Sequence, residues 1–177
     1  MEENRIEIGT SKNYIWLYFL LFFILWCLRE LWLVQYIELL NSVPQAIMSA
    51  LIKIVIWMIP VILFVKFVEK RKPFIYLGLR QHFNKGLQWA GWSSVILISF
   101  YFLLNFVVLD HPFNLQLSFN TWLNTIILVG FTEEIVFRGF LLKKLNETYH
   151  FWVANITTSL LFVSIHFPIW FYKGLFV

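Results

Sequence analysis

The sequence predicts an all-α membrane protein, a polytopic bundle of about five transmembrane helices. Of its 177 residues, 60% are hydrophobic and only 14% are charged, and the apolar residues form long runs separated by short charged ones. A soluble domain usually has about 45–50% apolar and about 25% charged residues. This chain therefore has too few polar groups to cover a water-facing surface, and the lipid bilayer is its first predicted partner.

Five apolar segments are long enough to cross a bilayer, whose hydrocarbon core of roughly 30 Å requires about 20 helical residues. The tail before the first segment is polar, and that segment is longer than the core of a signal peptide, so we expect it to remain as a membrane span. The predicted segments are Tyr14–Val34, Ala46–Val68, Gly91–Leu109, Trp122–Leu142 and Phe151–Phe171.

The connections between these segments alternate in charge. The N-terminal tail carries Arg5 and Lys12, the fourth connection carries Lys143 and Lys144, and the first and third connections have no Lys or Arg. By the positive-inside rule, the N-terminus is cytoplasmic and the chain crosses a cell membrane five times, with a composition consistent with a bacterial source. The second connection contains a short basic block, formed by Lys70, Arg71, Lys72, Arg80 and Lys85. The positive-inside rule accounts for this block, so the net charge of +4 does not indicate nucleic-acid binding.

Charged residues within the first two segments can be explained without a functional site. We interpret Lys53 and Lys66 as residues near span ends, whose long side chains reach the lipid headgroups. Arg29 and Glu30 are expected to form an interfacial pair near the outer end of the first helix. Cys27 is the only cysteine, so an intramolecular disulfide and a thiolate metal cluster are excluded.

The fourth segment contains three charged residues in the stretch GFTEEIVFRGF. A charge at the centre of a bilayer costs roughly 2.5–3.5 kcal/mol and is usually tolerated only where it faces a protein-lined or water-filled interior. Glu134 and Arg138 are four residues apart and share a helical face, so they can pair, whereas Glu133 lies about 100° around the helix and stays available. Alternatively, the span could end near Phe131, but apolar residues resume after the carboxylates.

The fifth segment contains Phe162-Val-Ser-Ile-His166, followed by Phe167 and Pro168. Phe162 and His166 share a helical face, and a kink before Pro168 is expected. A short loop joins the fourth and fifth segments, so they are predicted to be antiparallel neighbours in which Glu133 can face His166. Packing or an interfacial position is the alternative explanation for this histidine.

Together, Glu133-Glu134-x-x-x-Arg138 and Phe162-x-x-x-His166 resemble the first two motifs of the CPBP family. This family contains the CAAX prenyl endopeptidases, bacterial proteins linked to bacteriocin processing and self-immunity, and the Abi proteins. The segment EEIVFRGFLL is similar to the family's usual fourth helix. The segment KPFIYLGL, in the basic connection, is similar to the connecting sequence that precedes the family domain.

The resemblance implies two regions and one departure from the family pattern. Residues 1–69 form a cytoplasmic tail and two transmembrane helices, and residues 70–177 form a CPBP-like intramembrane protease domain. The family's third motif, a His followed four residues later by Asn or a similar residue, is absent, and no histidine follows His166. We expect either a fragment or a shortened member with weak or no proteolysis, and the apolar ending favours a truncated family core.

The resemblance also implies a reaction and the residues that perform it. Glu133 acts as general base on a water molecule, His166 helps to hold or activate that water, and Glu134 with Arg138 keeps the helix oriented. The substrate is expected to be a membrane-associated peptide or protein. The family is often called a metalloprotease, but a catalytic zinc normally has three protein ligands, so a metal-free mechanism with no cofactor is favoured while zinc remains possible.

Two other classes of function remain open at this point. One is a family member without the reaction, acting as a bacteriocin self-immunity or membrane binding protein. The other, less favoured, is a transporter or proton relay, where midplane carboxylates and a histidine also occur. Other intramembrane proteases are not supported, because the sequence contains no HExxH, GxSG or GxGD motif.

Overall fold

The computed structural model describes residues 2–80, 83–109 and 118–175, and in these ranges the chain forms helices and no strands. The predicted all-α fold class is therefore confirmed. Seven helices are formed by residues 2–37 (α1), 42–68 (α2), Pro73–Tyr76 (α3), 83–108 (α4), 121–146 (α5), Phe151–Ser164 (α6) and Phe167–Tyr172 (α7).

The long helices alternate between α-helical and π-helical hydrogen bonding. The Glu69 N–H, for example, donates to the Phe64 carbonyl five residues earlier at 3.1 Å. Single π-turns often mark functional sites in helices. Here π-helical segments occur in each of α1, α2, α4 and α5, so they do not by themselves single out a site.

Four helical stretches are long and apolar enough to cross a membrane: Tyr14–Ile37, Ser42–Val68, Asn84–Val108 and Phe151–Tyr172. They coincide with the first, second, third and fifth predicted segments, and the protein is a multi-pass membrane protein. The fourth predicted segment lies within α5, whose 26 residues extend about 39 Å. Helix α5 is long enough to cross a membrane but is not among the four stretches that are both long and apolar enough, so the fourth predicted segment stays a prediction as a membrane span.

Helices α1, α2 and α5 enclose a core rich in aromatic side chains. Trp57 on α2 lies at its centre, with ring centroids 5.2 Å from Phe22, 5.0 Å from Trp26 and 6.0 Å from Phe137. All three contacts have the edge-to-face geometry that aromatic pairs favour. The side chains of α5 that are buried in this core and nearby are Ile135, Val136, Phe137, Phe140 and Leu141. The bundle thereby fixes one face of α5 and leaves another for its charged residues.

Helix α4 contributes little to this core. Its described side chains are exposed along nearly the whole helix. An apolar depression of about 480 Å³ on its surface is lined only by Phe102, Leu103, Phe106 and Val107 of the same helix. Apolar surface of this kind is suited to contact with lipid tails, and the depression is separate from the charged residues of α5.

The basic connection after α2 is attached to the end of α5 by ion pairs and hydrogen bonds. Lys144 forms ion pairs with Glu69 at 2.8 Å and with Glu147 at 2.9 Å. Lys143 donates to the backbone carbonyl of Tyr76 at 2.6 Å. Burial and the nearby Glu147 and Glu69 carboxylates raise the pKa of the Tyr76 phenol, which donates a hydrogen bond to Glu147. This end of α5 is therefore anchored by charged side chains.

A glycine permits the close approach of this connection to α5. A Cβ atom at Gly139 would lie 3.3 Å from the Leu77 carbonyl oxygen and 3.7 Å from a Leu77 side-chain carbon. Any larger side chain would push the connection away from the helix. Gly139 belongs to the Phe-Arg-Gly sequence that follows the carboxylates, so the same short stretch supplies charge and close packing.

One interpretation of a charged residue is corrected by the structure. Lys53 does not lie near a span end: it is eleven positions after Ser42 and only 8% exposed. Arg29 and Glu30 form the predicted ion pair, in which the Glu30 side chain is only 4% exposed, and their position at the membrane interface stays a prediction. Lys66 lies near the end of α2 and is exposed, as predicted. Hydropathy along the chain does not show which face of an apolar helix meets another helix, and the error for Lys53 has this cause.

Candidate functional site

Glu134 and Arg138 form the predicted ion pair on α5. One guanidinium nitrogen, Nη1 of Arg138, lies 2.7 Å from one Glu134 carboxylate oxygen and 2.9 Å from the other. The two side chains are largely exposed on the surface of the protein, 74% for Arg138 and 56% for Glu134. The opposite charges of Glu134 and Arg138 therefore balance each other within one turn of the helix, and no third residue is required to compensate them.

Glu133, the neighbouring carboxylate, is half-buried in a groove between α5 and α6. The groove has a volume of about 300 Å³. The Glu133 carboxylate interacts electrostatically with His166, Lys53 and Glu134. The groove is lined by Glu133, Glu134, Phe137, Arg138, Leu142, Asn155, Thr158, Ser159, Phe162 and Val163. One carboxylate of the motif is thus paired, and the other is placed in a concave site.

His166 occupies the turn between α6 and α7. Its ring nitrogen Nδ1 lies 2.9 Å from the backbone carbonyl oxygen of Phe162. A carbonyl oxygen only accepts hydrogen bonds, so Nδ1 is the donor and carries hydrogen. In the neutral ring this leaves Nε2 with a lone pair. The helix is interrupted at Ile165 and His166, just before Pro168, where the kink was predicted.

Aromatic contacts join the two predicted motifs. The ring of Phe162 lies 5.1 Å from Phe137 of α5 and 5.0 Å from the His166 imidazole, measured between ring centroids. The imidazole ring also lies 5.8 Å from the Trp170 ring on α7, between ring centroids. The motif phenylalanine is therefore the contact through which the histidine turn packs on the carboxylate helix.

Glu133 lines the groove, whereas the lining residues do not include His166; Phe162, four residues before His166, does line it. Within the described residues, Glu133 and His166 share no hydrogen bond, and their pairing stays a prediction. Their roles in a reaction remain predictions.

Sequence reasoning did not predict a buried polar contact between α2 and α5, which is formed by Lys53 and Asn124. Lys53 Nζ donates to the Asn124 carbonyl at 3.2 Å, and the Asn124 amide donates to the Ala46 carbonyl at 2.9 Å. Both residues are buried. The sequence carried no signal for this contact, because helical spacing along α2 does not show which of its faces meets α5.

The donor set does not fit a catalytic zinc ion within the part of the chain that the structure describes. In those residues, no three His, Cys, Asp or Glu side chains lie together. Glu133 and His166 supply two donors, whereas a catalytic zinc normally has three protein ligands. No step of the reaction is therefore assigned to a metal.

A family model, described as type II CAAX prenyl endopeptidase Rce1-like, matches residues 113–177. The match includes both motifs, and this part of the chain is similar to the CAAX protease family that they resemble. No curated protein and no solved structure matches the chain. The predicted domain start at residue 70 precedes the matched region and stays a prediction.

Proposed function

From the match of residues 113–177 to the Rce1-like CAAX prenyl endopeptidases, we propose that this protein is an intramembrane endopeptidase. It hydrolyses a peptide bond of a membrane-associated peptide or protein. Glu133 is the general base, His166 holds the attacking water, and the Glu134–Arg138 pair orients the helix that carries Glu133.

The observation that carries this proposal is the position of Glu133. Its carboxylate is half-buried in the groove between α5 and α6 and within electrostatic range of His166. Electrostatic interactions are stronger in such a partly apolar groove than in bulk water. The groove also has room for a segment of polypeptide beside the carboxylate, with a volume of about 300 Å³.

The proposed reaction requires no covalent intermediate with the enzyme. Glu133 accepts a proton from the water, and the water oxygen forms a bond to the carbonyl carbon of the peptide. The carbon–nitrogen bond of the tetrahedral intermediate then breaks. The proton held by Glu133 passes to the departing nitrogen, so that one carboxylate serves as base and then as acid.

His166 is suited to hold the water because a hydrogen bond and two aromatic contacts fix its orientation. The Nδ1 hydrogen bond to the Phe162 carbonyl selects the tautomer, and the rings of Phe162 and Trp170 pack against the imidazole. Nε2 is then the nitrogen that accepts a hydrogen bond from a water molecule in the neutral ring. A histidine held in this way positions water without losing side-chain freedom on binding.

The pairing of Glu134 with Arg138 assigns different roles to the two adjacent carboxylates. Arg138 Nη1 contacts both oxygens of Glu134. Glu134 is thereby neutralised and is a poor candidate for proton transfer. Glu133 has no such partner on its own helix and remains the base.

The lining of the groove favours a peptide substrate over a free lipid. The polar side chains Asn155, Thr158 and Ser159 of α6 lie among apolar ones along the groove. Amide and hydroxyl groups can bind the backbone of an extended peptide. The apolar residues suit side chains of a segment that arrives from the bilayer, and recognition of a prenyl group is not required by this arrangement.

The test uses the protein reconstituted in lipid nanodiscs, with membrane-associated reporter peptides that do or do not carry a prenyl group. We expect Glu133→Gln and His166→Ala each to lower the cleavage rate by about 10²–10⁴-fold. Glu38→Gln removes an exposed carboxylate from the end of α1 and is expected to cleave at the wild-type rate.

Several results would contradict the proposal. Wild-type cleavage rates for both site variants would rule out the assigned residues. Absence of cleavage by the wild-type protein, with specific binding of a bacteriocin or other membrane peptide, would favour a family member that keeps the fold without the reaction. Ion-coupled transport that depends on Glu133, without cleavage, would favour a transporter.

A further inference from the structure

We propose that a basic cavity beside the end of α5 binds the headgroup of an anionic phospholipid. The cavity has a volume of about 440 Å³, within the range of roughly 300–1,000 Å³ that is typical of ligand sites. It lies between the connection that follows α2 and the last turn of α5, and it is lined by Arg71, Lys72, Ile75, Tyr76 and Lys143. The groove that contains Glu133 has none of these lining residues, so the two sites are distinct.

Positive charge exceeds negative charge in the two segments that supply the cations of this cavity. Residues 69–72 and 143–147 together contain five basic side chains and two carboxylates. Both carboxylates, Glu69 and Glu147, form ion pairs with Lys144, at 2.8 Å and 2.9 Å. Lys144 does not line the cavity. The nearby acidic groups are thus occupied elsewhere, and the cavity keeps an excess of positive charge.

The three basic side chains of the cavity have capacity to bind an anion. Lys72 and Lys143 form no ion pair with any residue that the structure describes, and Lys143 has one hydrogen bond, to the Tyr76 carbonyl, although an ammonium has three donors. Arg71 contacts Glu147 at 3.4 Å, and its side chain is 56% exposed. An exposed pair of this kind contributes little to stability, so the guanidinium can exchange it for a ligand.

The ring of Tyr76 holds two of these cations close together. Lys143 Nζ lies 4.2 Å and Arg71 Cζ lies 5.3 Å from the centroid of this ring. The two charges therefore cannot be farther apart than the sum of these distances. The ring itself is buried, and its hydroxyl group donates to Glu147 at 3.2 Å. A phosphate group can accept hydrogen bonds from both cations through different oxygens and relieves their mutual repulsion.

The position of the cavity favours a phospholipid over a water-soluble phosphate. The apolar stretch Ser42–Val68 ends three residues before Arg71, and the stretch Phe151–Tyr172 begins eight residues after Lys143. Lipid headgroups lie at the ends of such stretches, outside the hydrocarbon core. Ile75 and its neighbour Phe74 are exposed apolar side chains next to the cations. They are suited to contact the acyl chains of a lipid whose phosphate occupies the cavity.

The charge of the cavity also selects among phospholipids. Basic pockets of membrane proteins bind anionic headgroups. A phosphatidylcholine headgroup carries its own cation, which the three basic side chains repel. Phosphatidylglycerol has the same phosphodiester without that cation, so it is the preferred ligand of the two.

The test measures lipid binding to the full chain in detergent by native mass spectrometry. Phosphatidylglycerol and phosphatidylcholine with identical acyl chains are titrated separately, and we expect the wild type to bind phosphatidylglycerol at least about tenfold more tightly. One basic side chain at a membrane surface changes affinity about fivefold, so Lys72→Gln should weaken phosphatidylglycerol binding about fivefold and Arg71→Gln/Lys72→Gln about 25-fold. Binding of phosphatidylcholine should not change.

Two controls separate the cavity from the basic surface in general. Lys85→Gln removes an exposed cation of the same basic block that does not line the cavity, and it should bind phosphatidylglycerol as the wild type does. Arg71→Lys/Lys72→Arg keeps both charges and is expected to keep the preference for phosphatidylglycerol. Arg71 and Lys72 are exposed and lie outside the ion pairs of Lys144, so these variants leave the anchor of α5 intact.

Several results would overturn the inference. They are equal affinity of the wild type for the two lipids, unchanged phosphatidylglycerol binding in Arg71→Gln/Lys72→Gln, and an equal loss in Lys72→Gln and Lys85→Gln. Inorganic phosphate in excess is expected not to displace the lipid, because it lacks acyl chains; its displacement of phosphatidylglycerol would identify a soluble anion as the ligand instead. No peptide is cleaved in this experiment, so its outcome is independent of the proposed protease activity.

Discussion

The indole nitrogen Nε1 of Trp26 donates a buried hydrogen bond to the backbone carbonyl of Ile165 at 3.0 Å. This bond joins the first helix to the turn that carries His166, across 139 positions of sequence. Helix α6 ends at this turn, where backbone carbonyls lose their helical partners. A side chain from α1 therefore satisfies the carbonyl next to the proposed water-binding histidine.

Trp26→Phe is expected to lower the free energy of unfolding by about 1–3 kcal/mol, because it leaves the buried Ile165 carbonyl without its donor. It is also expected to reduce cleavage, since the His166 turn loses one support. The measurements are denaturant unfolding in detergent micelles and the cleavage assay. Trp16→Phe, at an exposed position of the same helix, is the control. Equal stability of the two variants would contradict the assigned bond.

The coupling between Glu134 and Arg138 is expected to exceed that of a surface pair in water. Such i,i+4 pairs contribute about 0.2–0.5 kcal/mol in water, whereas a bilayer provides less screening and a lower dielectric constant. A double-mutant cycle with Glu134→Gln, Arg138→Gln and the double variant, measured by unfolding in bilayers, should give about 1 kcal/mol or more. Additive single effects would show that the pair is not maintained in the membrane.

Treatment with EDTA or 1,10-phenanthroline is expected to leave the cleavage rate unchanged. The reason is the donor set, since Glu133 and His166 provide two ligands where a catalytic zinc normally has three. Addition of zinc to treated protein is the control. Loss of activity with a chelator and its recovery with zinc would establish a metal-dependent mechanism instead.

Two glycines of α5 are expected to respond differently to the same substitution. Gly139→Leu should destabilise the fold by about 1–3 kcal/mol, because the new side chain would collide with the Leu77 backbone. Gly130→Leu has open space around it, and should be neutral or stabilise the helix by up to about 1 kcal/mol. Thermal unfolding in detergent compares them. The assigned close approach would be wrong if both variants had the stability of the wild type.

The ion pair between Lys144 and Glu69 is expected to contribute strongly to stability. Both side chains are buried, 8% and 7% exposed, and removal of one partner from a buried pair costs about 3–5 kcal/mol. Lys144→Gln should therefore destabilise the protein, as measured by unfolding in detergent. Arg71→Gln removes an exposed partner of Glu147 and should change stability by less than about 1 kcal/mol. Similar small changes for both variants would show that the Lys144 pair is effectively solvated.

The local parts of the site could be predicted from the sequence. Residues four apart on a helix face the same direction, which was sufficient to predict the Glu134–Arg138 pair and to leave Glu133 available. The contact of Phe162 with His166 follows from the same spacing, and the break before Pro168 follows from the missing backbone donor of proline. These predictions depend on one helix at a time.

The environment of Lys53 could not be predicted in this way. Spacing along α2 shows which residues share a face with Lys53, but not that this face meets Asn124 of α5. Hydropathy favoured a location of Lys53 near the lipid headgroups, because a lysine exposed to the hydrocarbon core of a bilayer is energetically unfavourable. Contact with α5 changes the free energy of placing Lys53 inside the bundle, and no local sequence pattern indicates that contact.

The sequence by itself determined that this chain is an all-α membrane protein, which two carboxylates and which histidine are candidates for a site, and how one carboxylate is paired. These features depend on the length of apolar runs and on helical periodicity, both of which are local properties. Only the tertiary structure decided that Trp26 bonds to the histidine turn and that Lys53 of α2 bonds to the Asn124 carbonyl of α5. Those contacts join residues of different helices, and their energy depends on how the helices pack in three dimensions.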